Sequence, residues 1–467
     1  MNPLFDFKVY QNRRAKLTQL MKEGVALFLG NEESPMNYPS NQYKQRQDSN
    51  FLYFFGLSLS NFAAVIDFDN EQTILFGTDF EIDDIIWMGD QPKVQDLAAR
   101  VGISETRPMS ELAGYIAAQK GRKIHFTPPY RAENKIALSK LTGIAIDDLK
   151  ASASIALIKS IVALREIKDE FEIQEIEKAC VIGHKMHTEV MKNCRVGKTE
   201  QELFGIAEGI TLSYGNGVSF PIILSQHGET LHNHNHNQVL EDGKLLLMDA
   251  GAENLMNYSS DNTRTFPVNG KFTPKQKAIY EIVLKANVEG INACKPGIRY
   301  REIHKLAMTI ITDGLKALGL MKGDTEAAVE AGATALFMPH GLGHQMGLDV
   351  HDMEDLGENY VGYDDTIQRS KIFGWGSLRM AKEYQRYYHL PKLLHQYITP
   401  TISKDTDKIN DDAHGILKIK YVDALGNSKV RDINVTFEKR LCEAYTNGNW
   451  HKSSERNGTH YYLDKSL

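Results

Sequence analysis

From Val25 to Phe76, short apolar runs recur between polar breaks: Val25-Ala26-Leu27-Phe28-Leu29, then Phe62-Ala63-Ala64-Val65-Ile66-Asp67-Phe68, then Gln72-Thr73-Ile74-Leu75-Phe76. Runs of this length and content read as strands. They alternate with helical stretches such as Pro92 to Val101, so the region from Gly24 to about Thr127 reads as an α/β domain. From Ala151 through Lys192 the period becomes helical, with Ile155, Leu157, Ile158, Ile161, Leu164 and Ile167, and later Phe171, Ile173 and Ile176, supplying apolar faces. A domain boundary is expected within this stretch, near residue 160.

The second half begins with a helical pattern from Thr199 to Tyr214 and reaches a hairpin. Leu245 to Glu253 forms its outward arm and Asp261 to Val268 its return, with Gly270 closing it. Helices are expected at Thr273 to Ala293 and at Tyr300 to Leu318, giving an α+β second domain. Near the C-terminus, Ile416 to Val422, a turn at Gly426-Asn427 and Lys429 to Val435 read as one more hairpin. No internal repeat or low-complexity tract interrupts the chain.

A chain of 467 residues is long enough for two cores. With 42% hydrophobic and 24% charged residues, and no apolar run near the roughly 18 residues of a membrane span, a membrane role is not expected. The N-terminus, Met1-Asn2-Pro3-Leu4-Phe5-Asp6, has neither the basic nor the apolar part of a secretory signal, which points to the cytoplasm. Cys180, Cys194, Cys294 and Cys442 lack CxxC spacing, so neither a disulfide framework nor a cysteine zinc site is expected. A net charge of −6 with dispersed basic residues gives no footprint for nucleic acid, and a peptide or small-molecule substrate fits better.

The chemistry gathers late in the chain. Asp249 and Asp261 sit on the two arms of the hairpin, where facing carboxylates supply the oxygen ligands that hard and borderline divalent cations need. Such aspartates are common in turns and caps, and alone they say little. Downstream, however, Pro339-His340-Gly341-Leu342-Gly343-His344-Gln345-Met346-Gly347-Leu348-Asp349-Val350-His351-Asp352 packs three histidines and three glycines into one stretch. The glycines would let backbone approach a ligand, and neutral imidazoles serve metal binding and proton transfer. A further group, His232-Asn233-His234-Asn235-His236, precedes the hairpin, and only His232, directly after Leu231, is expected to point inward.

In combination, Asp249-Ala250-Gly251-Ala252-Glu253, the return strand from Asp261 through Thr263-Arg264-Thr265-Phe266-Pro267-Val268, and His340-Gly341-Leu342-Gly343-His344 resemble the metallopeptidase family of aminopeptidase P, prolidase, methionine aminopeptidase and creatinase, with its pita-bread fold. An N-terminal domain bearing Gln47-Asp48-Ser49-Asn50-Phe51-Leu52-Tyr53-Phe54-Phe55-Gly56-Leu57, read as an early strand, resembles aminopeptidase P more than methionine aminopeptidase, which lacks one. Prolidase, a dipeptidase, stays open. The resemblance divides the chain into an α/β domain at 1–160, a pita-bread domain at 161–383 and an unmatched segment at 384–467.

It implies that Asp249 binds one of two divalent ions, Mn²⁺ by preference, that Asp261 bridges both, and that His344 binds the other. His232, His340 and His351 match substrate-handling and proton-shuttling histidines. The implied reaction releases the first residue of a peptide whose second residue is proline, by an enzyme that self-associates. A non-catalytic peptide-binding protein on the same fold is the reading from another class, but such a binder has no physical reason to keep all six side chains. The family also supplies two late glutamates, in Glu-Pro-Gly and Arg-x-Glu-Asp motifs, and neither motif occurs here. The match runs through Arg369 to Gly374, extends to Glu383 and stops. The pita-bread domain is therefore expected to be incomplete after residue 383, with weak metal binding and low activity.

Overall fold

The computed structural model describes residues 3–357, 360 and 361, and beyond them the backbone of four strands, Ala413–Val422, Ser428–Phe437, Trp450–Ser453 and His460–Leu463. In the N-terminal half, five strands form one mixed sheet in the spatial order Glu105–Pro108, Gln72–Gly77, Ala63–Asp67, Val25–Leu29, Ile124–His125. The three central strands pair antiparallel and each outer strand joins in parallel. Val25, Leu27, Val65, Ile74 and Phe76 pack on one face with Leu112, Ile116 and Leu138. Their neighbours Ala26, Phe28, Ala64, Ile66 and Leu75 pack on the other with Tyr10, Leu17, Phe55 and Ile161. Successive side chains point to opposite faces, and both faces are covered, which is why these runs are apolar without alternation.

The motif beginning at Ser49, expected as a strand, is a helix, Ser49–Phe55, with all seven residues buried. A short run that is buried at every position carries no period that separates a buried strand from a buried helix. The ends decide it. Asp48 accepts a hydrogen bond from the Phe51 amide as N-cap, and Gly56 closes the helix in the left-handed region at φ 66°. The helical stretch from Ala151 to Lys192 likewise divides into Leu149–Ser152, Ile155–Arg165 and Glu170–Asn193. The breaks fall at Ser154 and Asp169, whose side chains cap the helices that follow. Ile155–Arg165, which contains residue 160, packs Leu157, Ile158, Ile161 and Val162 into the N-terminal core.

In the second half, Asn262–Pro267, Leu245–Ala250 and Ile223–Ser225 form an antiparallel sheet with Leu245–Ala250 in the middle. Leu246, Met248 and Ala250 are buried against Ile182, Met186, Val190, Leu203 and Ala207 of the helices Glu170–Asn193 and Glu200–Tyr214. The strand period of two therefore turns Leu245, Leu247 and Asp249 to the opposite face. Helices Pro274–Ala293 and Tyr300–Ala317 pack on each other through Ala286, Ala307, Ile311 and Leu315. The two halves share apolar floor, since Tyr258, Leu348, Met353 and Leu356 join the cluster built on Phe51 and Phe55.

The late hairpin forms as expected and is longer, with Ala413–Val422 and Ser428–Phe437 paired antiparallel and Tyr421 opposite Lys429. Residues 362–412, where the resemblance ends at Glu383, lie outside the described residues, as does the expected incompleteness of the domain. Among the described residues, no helix is long and apolar enough to cross a membrane.

Candidate active site

A cleft of about 2580 Å³ opens between the halves, and all six candidate side chains, His232, Asp249, Asp261, His340, His344 and His351, line it. Strand register explains the aspartates. Asp249 pairs with Thr263, and Asp261 lies two residues before Thr263, so the three side chains share a face. The strand end is tightly drawn here, because a Cβ on Gly251 would overlap the Ser260 carbonyl. Burial pushes the Asp249 carboxyl up, and the adjacent Asp261 carboxylate pushes it further. A hydrogen bond from Thr263 and the proximity of His344 oppose this, and the result is about 6. The two carboxyl groups are neighbours at the strand end, and Asp261 is the largest charged influence on Asp249.

His344 continues the chain of contacts. Its Nε2 lies 3.0 Å from Asp261 Oδ2 and its Nδ1 donates to the Gln345 carbonyl at 2.9 Å. Burial pulls this imidazole's pKa down, but the bonds to Asp261 and Gln345 outweigh it and the net shift is upward. The His351 ring stacks on His344 with centroids 3.7 Å apart at 10°. His351 Nδ1 lies 3.0 Å from Glu354 Oε1. His340 is exposed at the cleft wall, with Nδ1 2.8 Å from the Gly341 carbonyl.

The earlier loop differs from expectation. His232 is exposed at the cleft, His234 lines it as well, and the buried member is His236. His236 bonds the Leu224 carbonyl at 3.1 Å and stacks on Phe204, a packing role that follows from its place beside the strand Ile223–Ser225. The glycines of the histidine segment also serve packing: Gly343 leaves room for the Tyr300 hydroxyl and Gly347 for the Asp352 carboxylate.

Sequence reasoning missed the side chains that hold this segment. Arg165, 1% exposed, reaches Asp352 Oδ1 at 2.6 Å, Asn50 Oδ1 at 2.5 Å and Asp349 Oδ2 at 3.3 Å. Lys168 binds Asp352 Oδ2 at 2.7 Å, and Ser49 Oγ donates to Asp349 Oδ1 at 2.5 Å. Arg46 spans Glu253 and the Leu348 carbonyl. The available signal was the acidic run Asp349, Asp352, Glu354 and Asp355, too many carboxylates for one partly buried loop without cations nearby. One of them, Asp355, is pushed up to about 7 by burial and by Asp349 and Asp48, against the opposing pull of Arg165.

Asp249, Asp261 and His344 form a linked chain, and among the described residues no three His, Cys, Asp or Glu side chains gather as a metal-holding group. The donor chemistry nevertheless fits a divalent cation. Two neighbouring carboxylates and one imidazole are hard and borderline ligands, and the Asp249 carboxyl, raised by burial and then by Asp261, is a charge that a cation would stabilise.

Residues 174–375 match the family model for metallopeptidase family M24, and residues 10–125 match that for the aminopeptidase P N-terminal domain. A probable Xaa-Pro aminopeptidase from Podospora anserina is 35% identical over 333 residues, 70% of this chain and 71% of that one. The chain belongs to metallopeptidase family M24. Another relative, the Homo sapiens Xaa-Pro dipeptidase, is 29% identical over 77% of this chain and 73% of its own. Among solved structures, a variant of Escherichia coli aminopeptidase P superposes with TM-score 0.66 at 26% identity, covering 75% of this chain and 82% of that one. Escherichia coli aminopeptidase P with the inhibitor Pro-Leu shares the fold at TM-score 0.68 and 24% identity, over 93% of this chain and 92% of that one. The M24 pita-bread fold behind an aminopeptidase P-type N-terminal domain agrees with the fold expected from the motifs.

Proposed function

We propose that this chain is a metal-dependent peptidase that hydrolyses the bond between the first residue of a peptide and a proline in second position. The observation that carries this reading is the meeting of Asp249, Asp261 and His344 with His232, His340 and His351 in one cleft. Membership of the M24 family supports the dependence on divalent metal, and the Xaa-Pro relatives support the substrate.

In this reading Asp249, Asp261 and His344 hold metal, two Mn²⁺ ions by preference. A bound divalent cation supplies Lewis-acid polarisation of the scissile carbonyl and acidifies water. Proline has no N–H to offer, so recognition falls to the shape of its ring. Phe220, Ile223, Leu245 and Leu247 give the cleft an apolar wall suited to that ring. His340 and His351 exchange protons with the reacting peptide, and His232 at the open side contacts the chain beyond it. The division at 1–160, 161–383 and 384–467, self-association, and a cytoplasmic setting, which the free thiols of Cys180, Cys194 and Cys294 favour, belong to the same proposal.

The test is elemental analysis of protein purified in Mn²⁺, read beside release of the first residue from Ala-Pro-Ala and Ala-Ala-Ala. Bound metal with proline-dependent, chelator-sensitive cleavage is expected, slow because few donors hold the metal, and Asp261→Asn should abolish it. Equal cleavage of both peptides, or cleavage unaffected by chelator, would overturn the reading. The likeness to the human dipeptidase supports a second reading, and faster cleavage of Ala-Pro than of Ala-Pro-Ala would select it.

A further inference from the structure

Three residues in succession after His351 fix its position. Asp352 is 1% exposed and bound by Arg165 and Lys168. Met353 is fully buried in the core shared by the two halves and adopts the left-handed region at φ 64°. A side chain such as methionine enters that region only where its surroundings require it. The backbone therefore turns back on itself, the Glu354 amide bonds the His351 carbonyl, and a short 3-10 helix, Glu354–Leu356, begins. The turn brings the Glu354 carboxylate, whose side chain is 10% exposed, to within 3.0 Å of His351 Nδ1, while His351 itself is 49% exposed toward the cleft.

We propose that Glu354 is a positioning residue for His351: it accepts the Nδ1 proton, so that the neutral imidazole keeps Nε2 turned to the cleft as a hydrogen-bond acceptor. A neutral imidazole carries one N–H, and a carboxylate can only accept, so the contact selects one of two tautomers. Stacking on His344 fixes the plane of the same ring, leaving the Nε2 edge as its free polar edge. Glu354 itself reaches the cleft lining with its side chain 10% exposed and its Oε1 on His351. It acts through His351, much as partners behind metal-bound histidines set ring orientation and basicity. The inference deepens the proposed function and rests on His351 serving that reaction.

The test has two arms on the full-length protein. In the first, ¹⁵N-histidine NMR, with His351→Gln supplying the assignment, reads the tautomer directly. His351 should be Nδ1-protonated in the unaltered protein, and Glu354→Gln, whose amide can donate, should shift the population toward Nε2–H. In the second, Glu354→Gln should lower kcat on Ala-Pro-Ala by about tenfold to a hundredfold with KM and bound metal unchanged. Glu354→Asp, which keeps the carboxylate, should recover part of the loss. An Nε2-protonated His351 in the unaltered protein, or an unchanged kcat in Glu354→Gln, would overturn the proposal. Failure of the unaltered protein to cleave any Xaa-Pro peptide counts against the proposed function alone, and the tautomer then decides this inference.

Discussion

Asp249 and Asp261 reach the cleft through the backbone ladder between Leu245–Ala250 and Asn262–Pro267, two strands close together in sequence. His344 and His351 reach it on irregular backbone held by side chains from far away, Ser49 being 300 positions and Arg165 187 positions from their partners in that loop. The first arrangement is set by hydrogen bonds that any side chain permits. The second depends on particular charges that must be buried and paired. Damage in the N-terminal half should therefore displace the histidines and spare the carboxylates, although both line one cavity.

The largest effect is expected at Arg165. Replacing it with methionine fills the space but leaves Asp352, itself 1% exposed, with Lys168 as its remaining cationic partner, and weakens the hold on Asp349. Breaking a buried pair from one side costs about 3–5 kcal/mol. Urea denaturation of Arg165→Met should show a loss of that size. Hydrogen exchange should show where it falls: amides of residues 347–356 should lose protection, and those of Leu245–Ala250 and Asn262–Pro267 should keep it. Equal loss in both regions would mean that the two sides of the cleft are one cooperative unit.

The next prediction acts on the carboxylate side and follows from pH. The folded protein holds a proton on Asp249 to about pH 6, whereas an unfolded chain releases it near its ordinary value of 3.8. Between those values the folded state binds more protons than the unfolded one, so stability falls as pH rises through that window. In chelator-treated protein, Asp249→Asn should remove this fall and be more stable than the parent above pH 6, by on the order of 1–3 kcal/mol. Metal should reverse the order, stabilising the parent and not the variant. A parent whose metal-free stability is flat between pH 4 and 6 would show that neither burial nor Asp261 raises the Asp249 carboxyl.

This contrast also marks what could be read from the chain. The hairpin was legible because a period of two places Asp249, Asp261 and Thr263 on one face whatever surrounds them. The three central strands of the five-stranded sheet were legible because both its faces demand apolar residues, whereas the outer strands Glu105–Pro108 and Ile124–His125 carry no such run. The helix Ser49–Phe55 was not, since a buried run of seven has no polar face, and only its caps, Asp48 and Gly56, reveal it. His236 was misplaced for the opposite reason: alternating histidines and asparagines look exposed until Phe204 and the Leu224 carbonyl are brought beside one of them. The partners of Asp349 and Asp352 lie hundreds of residues away, where no local pattern connects them.

The smallest effect separates backbone support from side-chain support within the histidine loop itself. Ser49 Oγ donates to Asp349 and accepts from Arg46 Nη1 at 2.7 Å. Ser49→Ala removes both bonds, yet Asp349 keeps Arg165, and Arg46 keeps Glu253. A hydrogen bond to a charged group is worth about 1.5–3 kcal/mol, and alanine's better helix propensity at the start of Ser49–Phe55 returns about 0.5 kcal/mol. A net loss of about 1–2 kcal/mol is expected on urea denaturation. Since Asp352, Met353 and Glu354 still fix His351, kcat should change less than about threefold, in contrast to Glu354→Gln. A larger fall in kcat would place the control of His351 in the N-terminal half and weaken the case that the turn at Met353 is sufficient to aim it.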